Sequence, residues 1–368
     1  MPYIHEHPDW PRFTWDDATL GEPLARARHE QGRLLGRMES IGFDLREGAG
    51  LDMQTAELVK SWAIEGESLD PAEVRSSLAK QLGLETAGLP QTGRELDGIV
   101  EMMLDATRNA AAPLTRERLF AWHAALFPTG WSHLRRVTAG AWRSPEVGAM
   151  QVVSGAIGRE RVHFEAPAAE RVEGEMAAFI EWFEAGPQLD PLLKAGIAHL
   201  WLVTIHPFED GNGRIARAVC DMALARADRT QQRFYSLSSQ LETERKHYYF
   251  QLESTQKAGL DITAWLAWFL ELFERAIESA KGVLEETHAK ARFWQAAGTR
   301  PLNERQRKVL IRLLDHFQGP LTTKKYAKMT ACSHDTALRD IKQLVEWGLL
   351  AKNDAGGRST NYHVVAEH

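Results

Sequence analysis

A short segment, His206 to Arg217, forces one helix to end and another to begin within a single tight loop. The apolar run 195–205 predicts a buried helix, and Pro207 disfavours helical backbone at His206, so that helix ends there. Two glycines further along let the backbone turn sharply, and a second helix is expected from Arg214. The histidine is therefore placed at the mouth of a helix and not on its buried face.

The loop before the second helix is suited to hold an anion. Backbone N–H groups of Gly211, Asn212 and Gly213 form an anion nest, and the helix N-terminus adds a positive partial charge. Arg214 and Arg217 are three residues apart, so they share one helix face above that nest. Two guanidinium groups in this position suit a polyphosphate.

Two further side chains in this segment carry chemistry. Asp210 is placed to hold Mg²⁺ against bound phosphates, because Mg²⁺ takes one or two carboxylates together with phosphate oxygens. His206 then serves as a general base for an incoming hydroxyl. The glycines also match a loose dinucleotide-binding pattern, but that pattern needs a preceding strand, and the run before it favours a helix. No P-loop sequence occurs in the chain.

Most of the remaining chain predicts helices. No alternation of strand and helix indicates a doubly wound sheet. Residues 150–164 instead form two short extended runs around a glycine-containing turn, which predicts a β-hairpin. The expected helices are 20–40, 53–64, 71–82, 95–111, 114–126, 168–183, 191–205, 215–225, 243–256 and 262–289.

Composition excludes several classes of protein. The net charge of −6 excludes a polycation that coats nucleic acid. Cys220 and Cys332 are too few for a disulfide framework and fit a reducing compartment. The N-terminus lacks a signal-peptide pattern, and the most apolar stretch is about half the ~20 residues of a spanning helix. We therefore expect a cytoplasmic protein with no membrane segment.

The segment His206 to Arg217 resembles the signature of Fic-domain proteins, H-P-F-x-[D/E]-G-N-G-R-x-x-R, with every fixed position matched. The resemblance implies a mainly α fold, a Fic-type helical core with one β-hairpin called the flap. It also implies a nucleotidyltransferase, specifically a protein adenylyltransferase that transfers AMP from ATP to a Tyr, Thr or Ser hydroxyl of a protein target, including itself. Gly213 favours this reaction, since kinase relatives of the Doc type carry Lys at that place.

The family's roles are carried over to matching positions. Gly140 to Arg143 also resembles the family's G-x-[YW]-R, and the hairpin takes the flap's place ahead of the motif. An edge strand there can pair with an extended target segment. The implied roles are His206 as catalytic base; Asp210 as Mg²⁺ ligand; Gly211, Asn212, Gly213, Arg214 and Arg217 as nucleotide-binding residues; Tyr248 and Tyr249, with Gln256 beyond them, as the adenine border; and Gln151, Val152, Val153 and His163 as the target-docking flap.

The segment Ser61 to Gly66 resembles the inhibitory pattern [S/T]-x-x-x-E-[G/N] of Fic proteins, in the N-terminal arrangement called class II. Ser61 and Glu65 are four residues apart and share a helix face. A carboxylate presented to Arg217 would occupy the position that a γ-phosphate needs. The resemblance therefore implies autoinhibition by Glu65, which in some relatives also helps water to remove AMP from the target.

The C-terminal segment resembles a winged helix-turn-helix. Residues 303–368 hold 11 Lys or Arg against 7 Asp or Glu, so this segment is where nucleic acid is electrostatically plausible. Two acidic residues on the third helix, Asp335 and Asp340, weaken that interpretation and leave protein binding or dimerisation open. The candidate DNA-facing residues are Ser333, His334, Thr336 and Arg339 on the third helix, with Arg358 on the wing.

These observations predict three domains: residues 1–90 as an N-terminal helical module with the inhibitory helix, 91–298 as the Fic catalytic core and 299–368 as the winged helix. Two alternatives to the adenylyltransferase remain open. One is a de-adenylylase that uses the same site, and the other is a DNA-binding regulator whose core senses nucleotide. A homodimer is an expectation from the family alone.

Overall fold

The structure is a computed structural model, and the part of the chain that it describes is mainly helical. The prediction of a mainly α fold with a β-hairpin is confirmed. The described residues are 2–40, 43–84, 90–132, 134–155, 159, 161–186, 189–230, 232–298, 300–314, 317, 319–353 and 360–365. They separate into two compact units, Met1–Lys281 and Gly282–His368.

The first unit contains the helices that carry the motif. A short 3-10 helix at Ile4–Glu6 precedes the longer elements. The helices are α1 (Asp17–Ser40), α2 (Phe43–Ile64), α3 (Pro71–Gln81), α4 (Arg94–Arg108), α5 (Arg116–Leu126), α6 (Ala169–Glu184), α7 (Pro191–Ile205), α8 (Asn212–Asp228), α9 (Leu237–Thr243), α10 (Arg245–Gln256) and α11 (Thr263–Ala297), which runs past the boundary of the unit.

Local sequence signals explain several helix starts. Asp70 precedes Pro71 and its carboxylate accepts from the Ala72 N–H at 2.7 Å, so α3 has both an N-cap and a proline in its first turn. Asp190 and Pro191 begin α7 in the same way. Apart from Lys194, helix α7 is buried from Leu192 to Ile205, because nearly all of its residues are apolar.

Two short hairpins lie beside these helices. The first joins β1 (Trp131–Ser132) to β2 (Arg135–Arg136). The second is the predicted flap, in which β3 (Gln151–Ser154) pairs antiparallel with β4 (Arg161–Glu165). Its register shifts between Val152 and Val153, which marks a bulge. The turn expected over residues 155–158 falls outside the described residues from 156 onwards.

The second unit has its own small core. It contains α12 (Glu304–Leu314), β5 (Leu321–Thr322), α13 (Thr323–Thr330), α14 (His334–Glu346), β6 (Leu350–Lys352) and β7 (Asn361–Val364). The three strands form an antiparallel sheet in the order β5-β7-β6. The buried side chains of this core include Val309, Leu310, Tyr326, Ile341 and Leu344. Arg358, named above as a wing candidate, lies outside the described residues.

No helix within the described residues has both the length and the apolar character that crossing a membrane requires.

Candidate active site

The loop between α7 and α8 turns sharply, as the sequence predicts, but α8 begins at Asn212, two residues before the expected start at Arg214. His206 follows the last residue of α7 with a left-handed backbone (φ 52°), and its N–H donates to the Leu202 carbonyl at 3.0 Å. A non-glycine residue seldom adopts positive φ, so its surroundings must hold it there. Arg143 does this, because its Nε donates to the His206 carbonyl at 2.8 Å and its backbone N–H donates to the Pro207 carbonyl at 2.9 Å.

The His206 ring is oriented by its own helix. Its Nδ1 lies 3.2 Å from the Val203 carbonyl oxygen. Because a carbonyl only accepts, Nδ1 carries the proton and Nε2 keeps its lone pair. Burial lowers the pKa of His206 to about 4, with the Arg143 charge adding to the shift and Glu65 and Asp210 opposing it. The half-buried imidazole is therefore neutral near pH 7 and can accept a proton at Nε2.

The Asn212 side chain holds the turn before α8 in its conformation. Asn212 accepts the Phe208 N–H through Oδ1 and donates to the Phe208 carbonyl through Nδ2, each at 2.9 Å. Both polar atoms of this amide are thus used to shape the loop. Gly211 has φ 77°, and a Cβ there would come within 3.0 Å of the Phe127 ring. Glycine is required at this position for both conformation and space.

The two motif arginines are buried, and each binds a carboxylate that follows the end of α2. Arg217 Nη2 donates to Glu65 Oε1 at 2.7 Å, and its Nε donates to the Ser61 hydroxyl at 2.8 Å. Arg214 Nη1 donates to Glu67 Oε2 at 3.2 Å. The exposed fractions of the two arginine side chains are only 4% and 3%.

The space above the glycine turn is occupied by Glu65. A Cβ added to Gly213 would overlap Glu65 Oε1, so the carboxylate oxygen lies directly over that residue. Buried Arg214 Nε and Arg217 Nη1 have no hydrogen-bond partner within the described residues. Buried donors without acceptors cost free energy, and an anion with several oxygens would satisfy them.

One carboxylate, Asp210, borders the same loop. Its Oδ1 accepts the Gly211 N–H at 2.6 Å, and its Oδ2 accepts from the Ser132 hydroxyl on β1. The described residues contain no cluster of three or more His, Cys, Asp or Glu side chains able to hold a metal ion. The Asp210 side chain is 42% exposed, so it fits Mg²⁺ as a single carboxylate ligand. The ion would complete its ligand set with phosphate oxygens.

The expected adenine border divides between core and surface. Tyr248 is buried and its hydroxyl lies 2.8 Å from His199 Nε2. Gln256 is also buried, with its amide bonded to a threonine hydroxyl. Tyr249 is 38% exposed, and its hydroxyl donates at 3.4 Å to the carbonyl of Ile64, next to Glu65. Of these three side chains, Tyr249 is the one that presents a ring to solvent beside the arginine site.

The flap residues lie on the hairpin and are fastened to α10. His163 Nδ1 lies 2.7 Å from Glu253 Oε2, and its Nε2 lies 2.6 Å from the Ser154 hydroxyl. Gln151 donates to Glu165 across the strands at 2.7 Å. Val153 is exposed and Val152 packs partly against Phe164, Met150 and Ala166.

Three residues of the site were not assigned a role from the sequence. Glu67 lies two positions beyond the inhibitory pattern, and Arg143 was noted only as part of a motif. His123 on α5 has its ring stacked on Phe208 with centroids 4.1 Å apart, and its Nε2 donates to the Asp210 carbonyl at 3.1 Å. The sequence signal for His123 is a single histidine on an apolar helix, which is too common to indicate a site.

Comparison with known proteins matches two parts of the chain. Residues 113–224 match the Fic/DOC family, and residues 3–84 match a domain of unknown function, DUF4172. A solved Fic family protein from Desulfovibrio desulfuricans G20 aligns with a TM-score of 0.53 at 18% identity, covering 100% of this chain and 99% of that one. At that identity the likeness supports the fold.

Two relatives match at higher identity over shorter stretches. The protein adenylyltransferase Fic of Nematostella vectensis is 46% identical over 63 residues, which is 17% of this chain and 15% of the relative. A uridine 5'-monophosphate transferase of Xanthomonas campestris pv. campestris (strain 8004) is 34% identical over 122 residues, 31% of this chain and 22% of the relative. The matched stretches thus span a small part of each relative's own length. From its motif, its fold and these matches together, the chain carries a Fic/DOC-family domain.

Proposed function

We propose that this protein is a protein adenylyltransferase, which transfers AMP from ATP to a Tyr, Thr or Ser hydroxyl of a protein target or of its own chain. His206 Nε2 takes the hydroxyl proton as the hydroxyl oxygen bonds to the α-phosphorus. The bond from that phosphorus to the bridging oxygen breaks, and pyrophosphate leaves. Arg214 and Arg217 hold the β- and γ-phosphates, and backbone N–H groups of the loop hold the α-phosphate.

The observation that carries this proposal is the placement of two buried arginines and a glycine turn beside an imidazole with a free lone pair. Such a set binds a polyphosphate and removes a proton from a hydroxyl. Since the Asn212 side chain is used inside the loop, its contribution is to hold the turn open for the phosphate. Asp210 would hold Mg²⁺, which neutralises phosphate charge when it is bound.

Glu65 holds the site in an inhibited state in this proposal. Its carboxylate pairs with Arg217 and covers Gly213, so a triphosphate must displace it or bind with the γ-phosphate misplaced. A misplacement of about 1 Å costs on the order of 100-fold in rate. The contact of Ser61 with the same guanidinium fixes the end of α2 over the site.

The test is covalent labelling of the intact chain. Wild type, Glu65→Gly and His206→Ala are incubated with Mg²⁺ and each of ATP, UTP, GTP and CTP, followed by intact-mass spectrometry. We expect Glu65→Gly to gain one AMP mass faster than wild type and His206→Ala to gain none. His29→Ala, at an exposed histidine of α1, is the matched control and should behave as wild type.

Other outcomes separate the alternatives. Gain of a UMP mass in preference to AMP would replace ATP by UTP as donor, the activity named for the Xanthomonas relative. If no variant gains nucleotide, but wild type releases AMP from a modified chain and Glu65→Gly does not, the reverse enzyme is the better description. If no variant gains or releases nucleotide, the enzymatic proposal is wrong.

For the second unit we propose DNA binding through α14, in a winged helix-turn-helix. One observation favours it: Asp340 is buried and accepts from Arg305 Nε at 2.8 Å, so its charge does not face outward. Ser333, His334 and Arg339 remain exposed on the helix. A salt-sensitive gel shift of the whole chain, reduced by Arg339→Ala, is expected; no shift at low salt contradicts it.

A further inference from the structure

The first residues of the chain lie against the flap. We use the name N-terminal arm for Tyr3–Phe13. Tyr3 and His5 both meet the Phe164 ring of β4 edge to face, with centroid separations of 5.1 and 5.7 Å. Phe164 forms a small buried cluster with Met150 and Ala166 at the base of the hairpin, and Tyr3 packs onto that cluster.

A hydrogen bond fixes the arm to the strand. His5 is buried, and its Nε2 lies 2.8 Å from the Glu165 carbonyl oxygen. A carbonyl accepts only, so the imidazole donates through Nε2. Arg171 of α6 donates to the His5 carbonyl at 3.2 Å, which holds the arm from its other side. Glu165, the last residue of β4, is therefore hydrogen-bonded to His5, whose position is fixed by its burial and by Arg171.

The far end of the arm contacts two helices, α6 and α7. Trp10 Nε1 donates to Glu175 Oε2 on α6 at 2.8 Å. Trp10 and Phe13 both meet the Trp201 ring of α7 edge to face, with centroids 6.3 and 5.7 Å away. Helix α7 ends directly before His206. The arm therefore spans from the flap to the helix that precedes this histidine.

Arg143 connects the base of the flap to the backbone of His206. Arg143, which donates to the His206 carbonyl through Nε, also donates through Nη2 to the carbonyl of Pro167, two residues beyond β4. The base of the flap is thus bonded to the histidine backbone on one side and to the N-terminal arm on the other. A two-stranded hairpin is marginally stable by itself, so its position depends on such outside contacts.

From these contacts we propose that the N-terminal arm is a positioning element for the flap, and that Tyr3 and His5 set where a target segment lies relative to His206. This inference rests on the proposed function. It assigns a task to the start of the segment that matches a domain of unknown function. The end of α2 in the same segment supplies the residues over the arginines, so this one module contacts both the nucleotide side and the target side of the site.

The test uses the whole chain in the Glu65→Gly background, with a His206→Ala copy of the chain as acceptor. The variants are Tyr3→Ala with His5→Ala, the conservative His5→Gln, and His7→Ala as an exposed control in the same segment. Hydrogen exchange of residues 151–154 and 161–165, ATP affinity and the KM for the acceptor copy are measured for each variant.

In the double variant we expect hairpin exchange and acceptor KM to rise about tenfold, the effect of losing contacts of hydrogen-bond size. ATP affinity should stay within about twofold, because the described contacts of the arm are with β4, α6 and α7 rather than with Arg214 or Arg217. His5→Gln, which can still donate to Glu165, should recover most of both, and His7→Ala should match the parent.

Two results would overturn the proposal: unchanged exchange in the hairpin of the double variant, or a looser hairpin with no change in acceptor KM. If the parent itself transfers no nucleotide, the proposed function fails, while the exchange data still decide whether the arm holds the flap. If the double variant does not fold, the same comparison is made between His5→Ala alone and His5→Gln.

Discussion

Arg217 donates to Glu65 at 2.7 Å while Glu65 covers Gly213. One carboxylate therefore occupies both the space over the glycine and the guanidinium that would bind a phosphate. Arg214 is held less closely, by Glu67 at 3.2 Å. Each of the two arginines on α8 thus pairs with a carboxylate that follows α2, and Arg214 Nη2 also lies 3.7 Å from Asp210 Oδ1. An incoming triphosphate competes with both contacts, and the two contacts differ in strength.

This difference predicts an order of effects. Glu65→Gln should raise the rate of nucleotide transfer by about 10–100-fold, because it removes the negative charge that pairs with buried Arg217 at the phosphate position. Glu67→Gln should raise it by less, about 2–5-fold, since its carboxylate lies farther from its arginine, at 3.2 Å against 2.7 Å. Single-turnover transfer measures both, with Glu73→Gln on α3 as control. A larger effect for Glu67→Gln than for Glu65→Gln contradicts the geometry.

The histidine predicts an unusual pH profile. Burial lowers the pKa of His206 from 6.5 to about 4, so the neutral base persists in mildly acid solution. The kcat/KM of Glu65→Gly should therefore be nearly constant from pH 7.5 to 5.5, whereas an ordinary histidine would retain about a tenth. Circular dichroism at each pH controls for unfolding. An acid limb centred near pH 6.5 would show that the imidazole is not held as described.

His123 predicts a cost in stability. It accepts the Gly140 N–H at 3.0 Å through Nδ1 and donates to the Asp210 carbonyl through Nε2, and it is fully buried. Replacement by Ala leaves a cavity and two unpaired backbone groups, so His123→Ala should lower the free energy of unfolding by about 3 kcal/mol. Urea denaturation measures this value. His29→Ala should change it by less than about 0.5 kcal/mol.

The same residue predicts acid sensitivity. Burial lowers the pKa of His123 to about 4 from 6.5, so the unfolded chain binds more protons than the folded chain between those values. Its contribution to stability is therefore complete above pH 6.5 and is lost as the pH falls toward 4. The melting temperature of wild type should fall more steeply over that range than that of His123→Leu. Parallel slopes would contradict this assignment.

Arg143 predicts a loss of rate without a loss of binding. Its guanidinium bonds the carbonyls of His206 and Pro167 at once, which the single ammonium of lysine cannot do with the same geometry. In the Glu65→Gly background, Arg143→Lys should lower kcat by about 10–100-fold, because a small displacement of the base is costly. ATP affinity by calorimetry should stay within about twofold. A fall in affinity with kcat unchanged would place Arg143 in nucleotide binding.

Asp340 predicts the stability of the second unit. It is buried and accepts from Arg305 and from the Tyr326 hydroxyl, the latter at 3.2 Å. Asp340→Ala should destabilise this unit by about 2–4 kcal/mol, since it leaves a buried hydroxyl and an arginine without their acceptor. Thermal unfolding of the whole chain, followed by hydrogen exchange of α14, measures the change. Asp335→Ala, on the exposed side of the same helix, should have no comparable effect.

Proline, glycine and N-cap residues in the sequence predicted where several helices begin or end. Pro207 and the glycines that follow placed the end of α7 and the turn before α8, and Asp70 with Pro71 placed the start of α3. Asp340 shows where such signals stop. The sequence analysis counted its charge against DNA binding, whereas the tertiary structure turns it inward to Arg305. Helix periodicity alone could not settle this, because a charged residue is buried only when a partner from another element reaches it.

The sequence by itself determined the order of the chemical groups around the loop, since a proline, glycines and arginines a few residues apart act through backbone conformation and helix spacing. Only the tertiary structure decided that Glu65 lies over Gly213, that Glu67 reaches Arg214, and that Tyr3 and His5 support the flap. Each of these contacts joins residues separated by about 150 positions or more. Such distances are closed by the packing of a whole core, which helix periodicity and turn signals do not encode. The pattern of residues 61–66 pointed to Glu65 only through its resemblance to a known family.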